Sequence, residues 1–197
     1  MIFISKFLRF LIRQMEQFFC FVRIIKLKLL YPGIVIDFKT RIHKNCLISC
    51  VKGGKLSILK SDISPGTYIK ADIASTLSIY DSFIGRNCVI TAKEKVIISK
   101  NCLIAEMVVI RDQDHTMIPN NSNRETQNFN VAPIEIKENV WIASKATILK
   151  GVTIGKNSII AASAVVTQEV PSFEVWGGIP AKFIKKIISN ENAPISA

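Results

Sequence analysis

The sequence is poor in histidine and acidic residues, and it lacks a long uncharged apolar run. Two histidines, His43 and His115, stand among 197 residues, too few for a zinc site of the usual type. Charged residues interrupt every stretch of the length that a membrane-spanning helix needs. No small-residue cleavage site follows the apolar N-terminal segment. The sequence therefore predicts no metal site, no membrane span and no signal peptide.

Lysine and arginine far outnumber the acidic residues. There are 26 Lys and Arg against 15 Asp and Glu, which gives a formal charge of +11. Such an excess favours an anionic partner, such as a phosphorylated cofactor, an acidic glycan or a membrane face. The basic residues are scattered and do not alternate with aromatic ones, so we expect no nucleic-acid partner.

A six-residue period dominates the C-terminal half. Isoleucine or valine recurs at Ile136, Ile142, Ile148, Ile154, Ile160 and Val166, and a small or β-branched residue lies four positions after each. This spacing matches neither a helix nor an ordinary strand. It is typical of a parallel β-helix, in which each unit forms one face of a prism. A less regular continuation through Ile63, Ile69, Ile73 and Ile79 predicts earlier coils.

Asparagine and cysteine recur at fixed positions of this repeat. Asparagine tolerates the left-handed backbone that a sharp corner needs, so we expect corners at Asn45, Asn87, Asn101, Asn139 and Asn157. Cys46, Cys88 and Cys102 follow the first three of these and are interpreted as small core residues. Free thiols predict a reduced, cytoplasmic setting.

Residues 1–33 differ from the repeats and form a predicted amphipathic helical segment. One stripe of this helix carries Lys6, Arg9, Arg13, Glu16 and Arg23. Two interpretations stay open. The apolar faces pack on the end of the solenoid or on another subunit, or the helix lies in a membrane interface with its basic stripe towards lipid phosphates.

The remaining sequence divides into a repeat domain, residues 34–187, and a C-terminal helix or tail, residues 188–197. The repeat breaks at about residues 111–133, which are polar and rich in asparagine. A segment of this length inside a solenoid must loop out from one edge, and such loops are commonly functional. His115 lies near its start, so we expect the loop to carry part of a site.

Two stretches, Ile142 to Thr167 and Val175 to Lys182, resemble the hexapeptide-repeat acyltransferases. The sugar-modifying branch is the most similar, including maltose, galactoside and capsular-polysaccharide O-acetyltransferases. The resemblance implies a homotrimer with acetyl-CoA bound between neighbouring subunits. It also implies the hand of the coil, which the period does not give. The expected fold is all-β, a left-handed parallel β-helix of hexapeptide repeats preceded by the amphipathic helix.

His115 is the candidate general base. A sugar hydroxyl is a weak nucleophile that needs a base as it attacks a thioester, and imidazole suits that role near neutral pH. The resemblance places a catalytic histidine in this segment. An aspartate would orient the ring, with Asp114 as the candidate and Asp112 left open. Trp141 is expected on the coil exterior, either in the acyl site or packed against the loop or a neighbouring subunit. His43 is interpreted as structural.

The resemblance also implies the residues that bind acetyl-CoA. Small residues at coil positions would let the backbone reach the pantetheine arm, here Ala143, Ser144, Ala161 and Ala162. Thr167 matches a threonine of the family, whereas Gln168 replaces its customary lysine. Lys182 and Lys185 match basic residues near the nucleotide phosphates. No metal is expected.

The predicted function is transfer of acetyl from acetyl-CoA to a hydroxyl of a bacterial surface saccharide, such as a capsule, an O-antigen or a related glycan. An acidic polysaccharide suits the basic charge, and the predicted location is cytoplasmic with peripheral contact to the inner membrane. The first alternative is N-acetylation of an amino sugar, which the short N-terminal segment disfavours. A non-catalytic solenoid scaffold is the second. Zinc carbonic anhydrase is excluded by the histidine count. The acceptor sugar is not predicted.

Overall fold

A computed structural model describes residues 2–116 and 129–188, so most of the predicted loop and the predicted C-terminal tail lie outside the described residues. The chain begins with one long helix, α1 (Ile2–Leu30). Pro32 and Gly33 follow its end, because proline lacks the N–H that a continuing helix would use. Within the described residues, no helix combines the length and the apolar character that crossing a bilayer requires.

Three parallel sheets form the faces of a prism, and each turn of the chain adds one strand to each face. The first face contains β1 (Ile34–Ile36), β4 (Lys55–Leu59), β7 (Thr76–Tyr80), β10 (Lys95–Ile98), β15 (Ile134–Ile136) and β18 (Thr153–Ile154). The third face contains β3 (Leu47–Cys50), β6 (Tyr68–Ala71), β9 (Val89–Ala92), β12 (Val109–Arg111), β17 (Thr147–Ile148) and β20 (Val165–Val166).

The second face lies between these two in chain order. It contains β2 (Arg41–Ile42), β5 (Asp62–Ile63), β8 (Phe83–Ile84), β11 (Leu103–Ile104), β16 (Trp141–Ile142), β19 (Ile159–Ile160), β21 (Glu174–Gly178) and β22 (Ala181–Lys186). The last strand, β22, runs antiparallel to β21 and ends the described solenoid. A separate hairpin pairs β13 (Gln113–His115) with β14 (Phe129–Val131). The architecture is the expected left-handed parallel β-helix.

The core confirms the six-residue register. The aliphatic side chains at Ile136, Ile142, Ile148, Ile154, Ile160 and Val166 are all fully buried. The small residues between them are also buried, at Val140, Ala146, Val152, Ser158, Ala164 and Val170. Each coil bonds to the next through the backbone, as where the Ala143 N–H donates to the Ile160 carbonyl at 2.9 Å. One continuous apolar core therefore runs along the solenoid axis.

The corners confirm the role predicted for asparagine. Positive φ angles occur at Asn45 (60°), Asn87 (55°), Asn101 (59°), Asn139 (62°) and Asn157 (59°). Asparagine adopts this left-handed conformation more readily than most residues do, because its short amide can bond locally. The chain therefore turns sharply between faces without glycine at these five positions.

The coils shorten along the chain. The early coil that joins Ile34 to its ladder partner Leu56 is longer than the late coil that joins Glu135 to Thr153. Longer strands in the early coils, such as β4 and β6, account for the extra length. They also explain one wrong expectation: Ile73 does not continue the inward register but is 67% exposed.

The cysteines behave as core residues. Cys88 and Cys102 are fully buried, Cys46 is half-buried, and all five cysteines are free thiols. Burial raises the pKa of the Cys88 thiol to about 11. These side chains therefore occupy the small interior position that the repeat predicts for them.

Candidate active site

His115 lies on a hairpin that leaves the solenoid at the corner between the third and first faces. Directly after β12, strand β13 turns outward and pairs with β14, so that His115 lies opposite Phe129. The two rings are in contact, with centroids 4.4 Å apart. Gln113 ties the hairpin to the third face through a 3.1 Å bond from Nε2 to the Thr91 hydroxyl. His115 is the last residue of β13 in this anchored hairpin, and its side chain is exposed to solvent.

Asp112 fixes the point where the hairpin leaves the solenoid. Its carboxylate is fully buried and accepts backbone N–H bonds from Lys93, Glu94 and Lys95, each at 2.8 Å. Three charge-assisted bonds satisfy an acid that would otherwise be costly to bury. Asp112 is therefore an anchor of the hairpin and does not face His115.

The side chain of Lys93 contacts Phe129, the aromatic residue that packs against His115. Its ammonium lies 3.8 Å from the centroid of Phe129 and 2.9 Å from the carboxylate of Asp72. Partial burial by itself raises the pKa of Asp72, but the bond from Lys93 and the backbone N–H of Ile73 outweigh it, and the net pKa is lowered. Asp72 therefore stays charged near neutral pH and holds Lys93 against the ring.

Asp114 points away from His115. Successive residues of a strand project to opposite faces, and the Asp114 carboxylate bonds to the Lys150 ammonium at 2.6 Å. Across residues 2–116 and 129–188, no hydrogen bond joins His115 to Asp112 or Asp114. The structure thus gives no contact that supports Asp114 as the orienting acid. Asp114 instead forms an ion pair with Lys150 on the solenoid.

Trp141 lies at the start of β16 on the second face, one full face away from the hairpin. Its side chain is 43% exposed, as predicted for the coil exterior. Along this face it lies between Leu103 and Ile159, its partners in the parallel ladder, and Phe83 precedes them in the same row. Trp141 is thus part of an exposed apolar row and does not meet His115 within one chain.

Small residues line the corner between the second and third faces. Ala143 and Ser144 follow β16, and Ala161 and Ala162 follow β19 in the next coil. The Ser163 N–H donates to the Ser144 carbonyl at 2.9 Å, which holds the two coils together at this corner. We call these four residues, Ala143, Ser144, Ala161 and Ala162, the alanine column. They lie in adjacent coils, and their small side chains leave the backbone largely uncovered.

The C-terminal hairpin of β21 and β22 extends the alanine column. The Ala161 N–H donates to the Trp176 carbonyl at 2.8 Å. A Cβ added at the neighbouring Gly177 would lie only 2.9 Å from the Cβ of Ala161. Lys182 and Lys185 are exposed on β22, opposite Gly177 and Val175. Small residues and two lysines therefore lie close together.

Thr167 and Gln168 belong to a different corner. They follow β20, between the third and first faces, and are exposed. Just before them, the Val166 carbonyl accepts the N–H of Leu149 in the preceding coil at 3.1 Å. The structure thus separates these two residues from the alanine column by the width of the third face.

A family comparison agrees with the fold and the repeat. Residues 133–168 match the family described as bacterial transferase hexapeptide (six repeats). This stretch of the chain therefore carries hexapeptide repeats of that family. The matched residues include β15 to β20 and the alanine column.

Curated relatives of this hexapeptide-repeat protein are named as acetyltransferases. A Saccharomyces cerevisiae protein, named provisionally as an acetyltransferase, is 39% identical over 132 residues, which cover 66% of this chain and 65% of that protein. The galactoside O-acetyltransferase of Escherichia coli K12 is 38% identical over 102 residues, 51% of this chain and 49% of the enzyme. The chain thus spans less than two thirds of each relative.

Solved structures share the fold. The N-acyltransferase AntD of Bacillus cereus, in complex with dTDP and 3-hydroxybutyryl-CoA, has a TM-score of 0.67 at 16% identity, covering 83% of this chain and 87% of that one. A hexapeptide-repeat acetyltransferase of Vibrio cholerae in complex with acetyl-CoA has a TM-score of 0.50 at 27% identity, covering 68% and 72%. The first likeness concerns the fold alone.

Sequence reasoning missed the residues that support the hairpin of this hexapeptide-repeat protein. Asp112 was predictable in part, since an acid directly after a buried strand needs local donors. Phe129, Lys93 and Lys150 carry no local signal, because their contacts join positions that are far apart in the sequence. Within the described residues, no three His, Cys, Asp or Glu side chains cluster as metal ligands do.

Proposed function

We propose that this chain transfers acetyl from acetyl-CoA to a hydroxyl of a saccharide acceptor, with His115 as general base. The observation that carries the proposal is the anchored hairpin, which holds an exposed histidine against Phe129 at the solenoid edge. The galactoside O-acetyltransferase relative supports oxygen as the acceptor atom. The acetyl-CoA complex of the Vibrio cholerae protein supports the donor.

In this reaction His115 takes the proton of the acceptor hydroxyl as its oxygen attacks the thioester carbonyl. The new C–O bond forms, the C–S bond breaks, and the thiolate of coenzyme A leaves. A backbone N–H or the indole N–H of Trp141 stabilises the oxyanion that develops. Contact with the tilted ring of Phe129 restricts the His115 ring, a restraint that a histidine in a free loop would lack.

The alanine column is the proposed seat of the pantetheine arm. Ala143, Ser144, Ala161 and Ala162 leave the backbone open to an extended ligand. Lys182 and Lys185 lie exposed on the adjoining strand, where they can meet phosphate groups. Thr167 and Gln168 lie one face away, so in this proposal they contact the donor only from a neighbouring subunit.

The proposed site is completed between copies of the chain in a homotrimer. His115 lies at one corner, the alanine column at a second, and Trp141 on the second face. One prism cannot bring the three together, whereas prisms packed side by side around a threefold axis can. The exposed apolar row around Trp141 suits burial in such a contact.

The acceptor class is tested by transfer of labelled acetyl from acetyl-CoA to bacterial surface polysaccharides, acidic and neutral, and to amino-sugar nucleotides. Mild alkali releases an ester but not an amide. Alkali-labile label on a polysaccharide is the expected result. Alkali-resistant label on an amino sugar would replace the proposal with N-acetylation, and no transfer to any of them would contradict it.

The role of His115 is tested with His115→Ala, compared with His43→Ala. His43 is the other histidine and bonds to Asp62 at 3.0 Å, far along the solenoid. Loss of a general base lowers turnover by about 10² to 10⁴ fold, so we expect that loss for His115→Ala, with acetyl-CoA binding retained in a thermal-shift assay. His43→Ala should keep most of the activity. Near wild-type turnover of His115→Ala would overturn the assignment.

A further inference from the structure

The helix α1 presents two different faces. Its last three turns pack on the first coil, where Ile24 is buried in the solenoid core and Cys20 and Leu27 pack beside it. At about 100° per residue, Phe18 and Val22 lie on the opposite side, and both are exposed. The helix thus closes the end of the prism with one face and turns the other away from it.

The outward face is apolar along the described helix. Its large exposed side chains are Phe7, Leu8, Phe10, Leu11, Ile12, Met15, Phe18, Phe19, Val22, Leu29 and Leu30. Phe21 is also half-exposed, but its ring stacks on Phe38 of the solenoid with centroids 5.4 Å apart. The exposed side chains of the outward face cover more than half of the helix circumference, whereas a coiled-coil seam needs only a narrow stripe. The helix is about 43 Å long at about 1.5 Å per residue, and before residue 16 its described side chains are exposed on every side. A single packed helix would not cover this face.

The charge of α1 identifies what can cover the face. The helix contains six basic residues and one acid, Glu16, whose carboxylate lies 3.9 Å from Arg23. At about 100° per residue, Lys26 lies within the apolar face, whereas Lys28 lies at its edge with its ammonium 4.6 Å from the centroid of the Phe38 ring. Lys6, Arg9 and Arg13 lie on the polar side of the helix. Bundling identical copies would bring these cations together, whereas an anionic surface would neutralise them.

We propose that α1 is an interfacial anchor that lies in the surface of an anionic lipid bilayer. The apolar face enters the boundary between headgroups and acyl chains, and the basic residues at its edges and on its polar side meet the lipid phosphates. The solenoid remains in water on the opposite side of the helix. This surface is separate from the acetyl-transfer site, so the two can be tested independently.

The test is co-sedimentation of the full chain with vesicles of phosphatidylglycerol and phosphatidylcholine, compared with vesicles of phosphatidylcholine alone. We expect binding to the anionic vesicles, weaker binding at high salt, and little binding to the zwitterionic ones. The double variant Leu11→Ser/Phe18→Ser, which removes two exposed side chains from the apolar face, should weaken binding by at least about tenfold. Ile73→Ser, an exposed apolar residue of the solenoid, should not change it.

Sedimentation velocity of the same variants tests the alternative that other copies of the chain cover the apolar face of α1. If the anionic vesicles are not bound and Leu11→Ser/Phe18→Ser reduces the size of the oligomer, α1 covers its face with other copies and the proposal is wrong. Binding that persists at wild-type strength in that variant would also overturn it. Circular dichroism of each variant shows whether the helix and the solenoid remain folded, and Lys6→Gln/Arg9→Gln provides a second variant that tests only the charge.

Discussion

Replacing Asp112 with alanine tests whether one buried carboxylate holds the base of the hairpin. The change removes the acceptor of three backbone N–H groups, those of Lys93, Glu94 and Lys95, each bonded at 2.8 Å. It leaves both strands of the hairpin and the His115 contact chemically intact. Any loss of stability therefore reports on the anchor itself.

The size of the loss follows from the surroundings of the three donors. An unsatisfied buried donor costs about 1–3 kcal/mol. Glu94 and Lys95 are exposed residues, so water can reach their N–H groups once the carboxylate is gone. We therefore take the lower end of the range for each donor and expect a total loss of about 3 kcal/mol. For a chain of this length, that lowers the Tm by about 6–12 °C.

Urea unfolding followed by circular dichroism measures this loss. The midpoint should fall with an unchanged m value, since the change removes bonds and little buried area. Asp114→Ala is the matched control, because its neighbouring carboxylate makes one exposed ion pair with Lys150 and should contribute at most about 1 kcal/mol. Asp112→Asn keeps one acceptor oxygen and should fall between the two. A loss below about 1 kcal/mol for Asp112→Ala would refute the reasoning.

Two further predictions concern thiol chemistry and the shared site. Because burial raises the pKa of Cys88 to about 11, its thiol should resist iodoacetamide at about pH 8 until the chain is unfolded. Its contribution to stability should be full below the unfolded pKa and should be lost as the pH rises from that value towards about 11; rapid labelling of folded protein would contradict the burial. Mixing inactive His115→Ala with inactive Trp141→Ala chains should restore about one quarter of the sites if a trimer joins the two residues across subunits. No recovery after subunit exchange would contradict a site shared between neighbouring subunits.

The solenoid was predictable because its determinants are local and repeat. The period from Ile136 to Val166 and the corner asparagines need only neighbouring residues to be recognised, and both are confirmed. The register was misread at Ile73, where a longer coil interrupts the six-residue count. Ile73 lies in the turn that follows the lengthened strand β6, which ends at Ala71, so a count by sixes wrongly assigns it to the interior.

Individual residues of the candidate site could be predicted from the sequence, but their arrangement in space could not. His115 stands out because it interrupts a repeat, and Trp141 because an aromatic occupies an outward position. Their separation by one face follows from which strand each residue joins. Phe129 could not be predicted as the partner of His115, because the hairpin pairs two ends of a segment without a repeat. The orienting role given to Asp114 rested on adjacency in sequence, whereas adjacency along a strand puts side chains on opposite faces.

The number of stacked coils gives the distance along the solenoid axis between α1 and Trp141. The helix α1 closes the first coil, whereas Trp141 belongs to the fifth, so four coil spacings separate them. At about 4.8 Å per spacing this is about 19 Å along the axis. With the solenoid axis normal to a bilayer that holds α1, the proposed acetyl transfer would take place about that far from the coil that α1 covers. In this proposed arrangement, a glycan of several sugar units would reach the level of the site more readily than a sugar attached directly to a lipid.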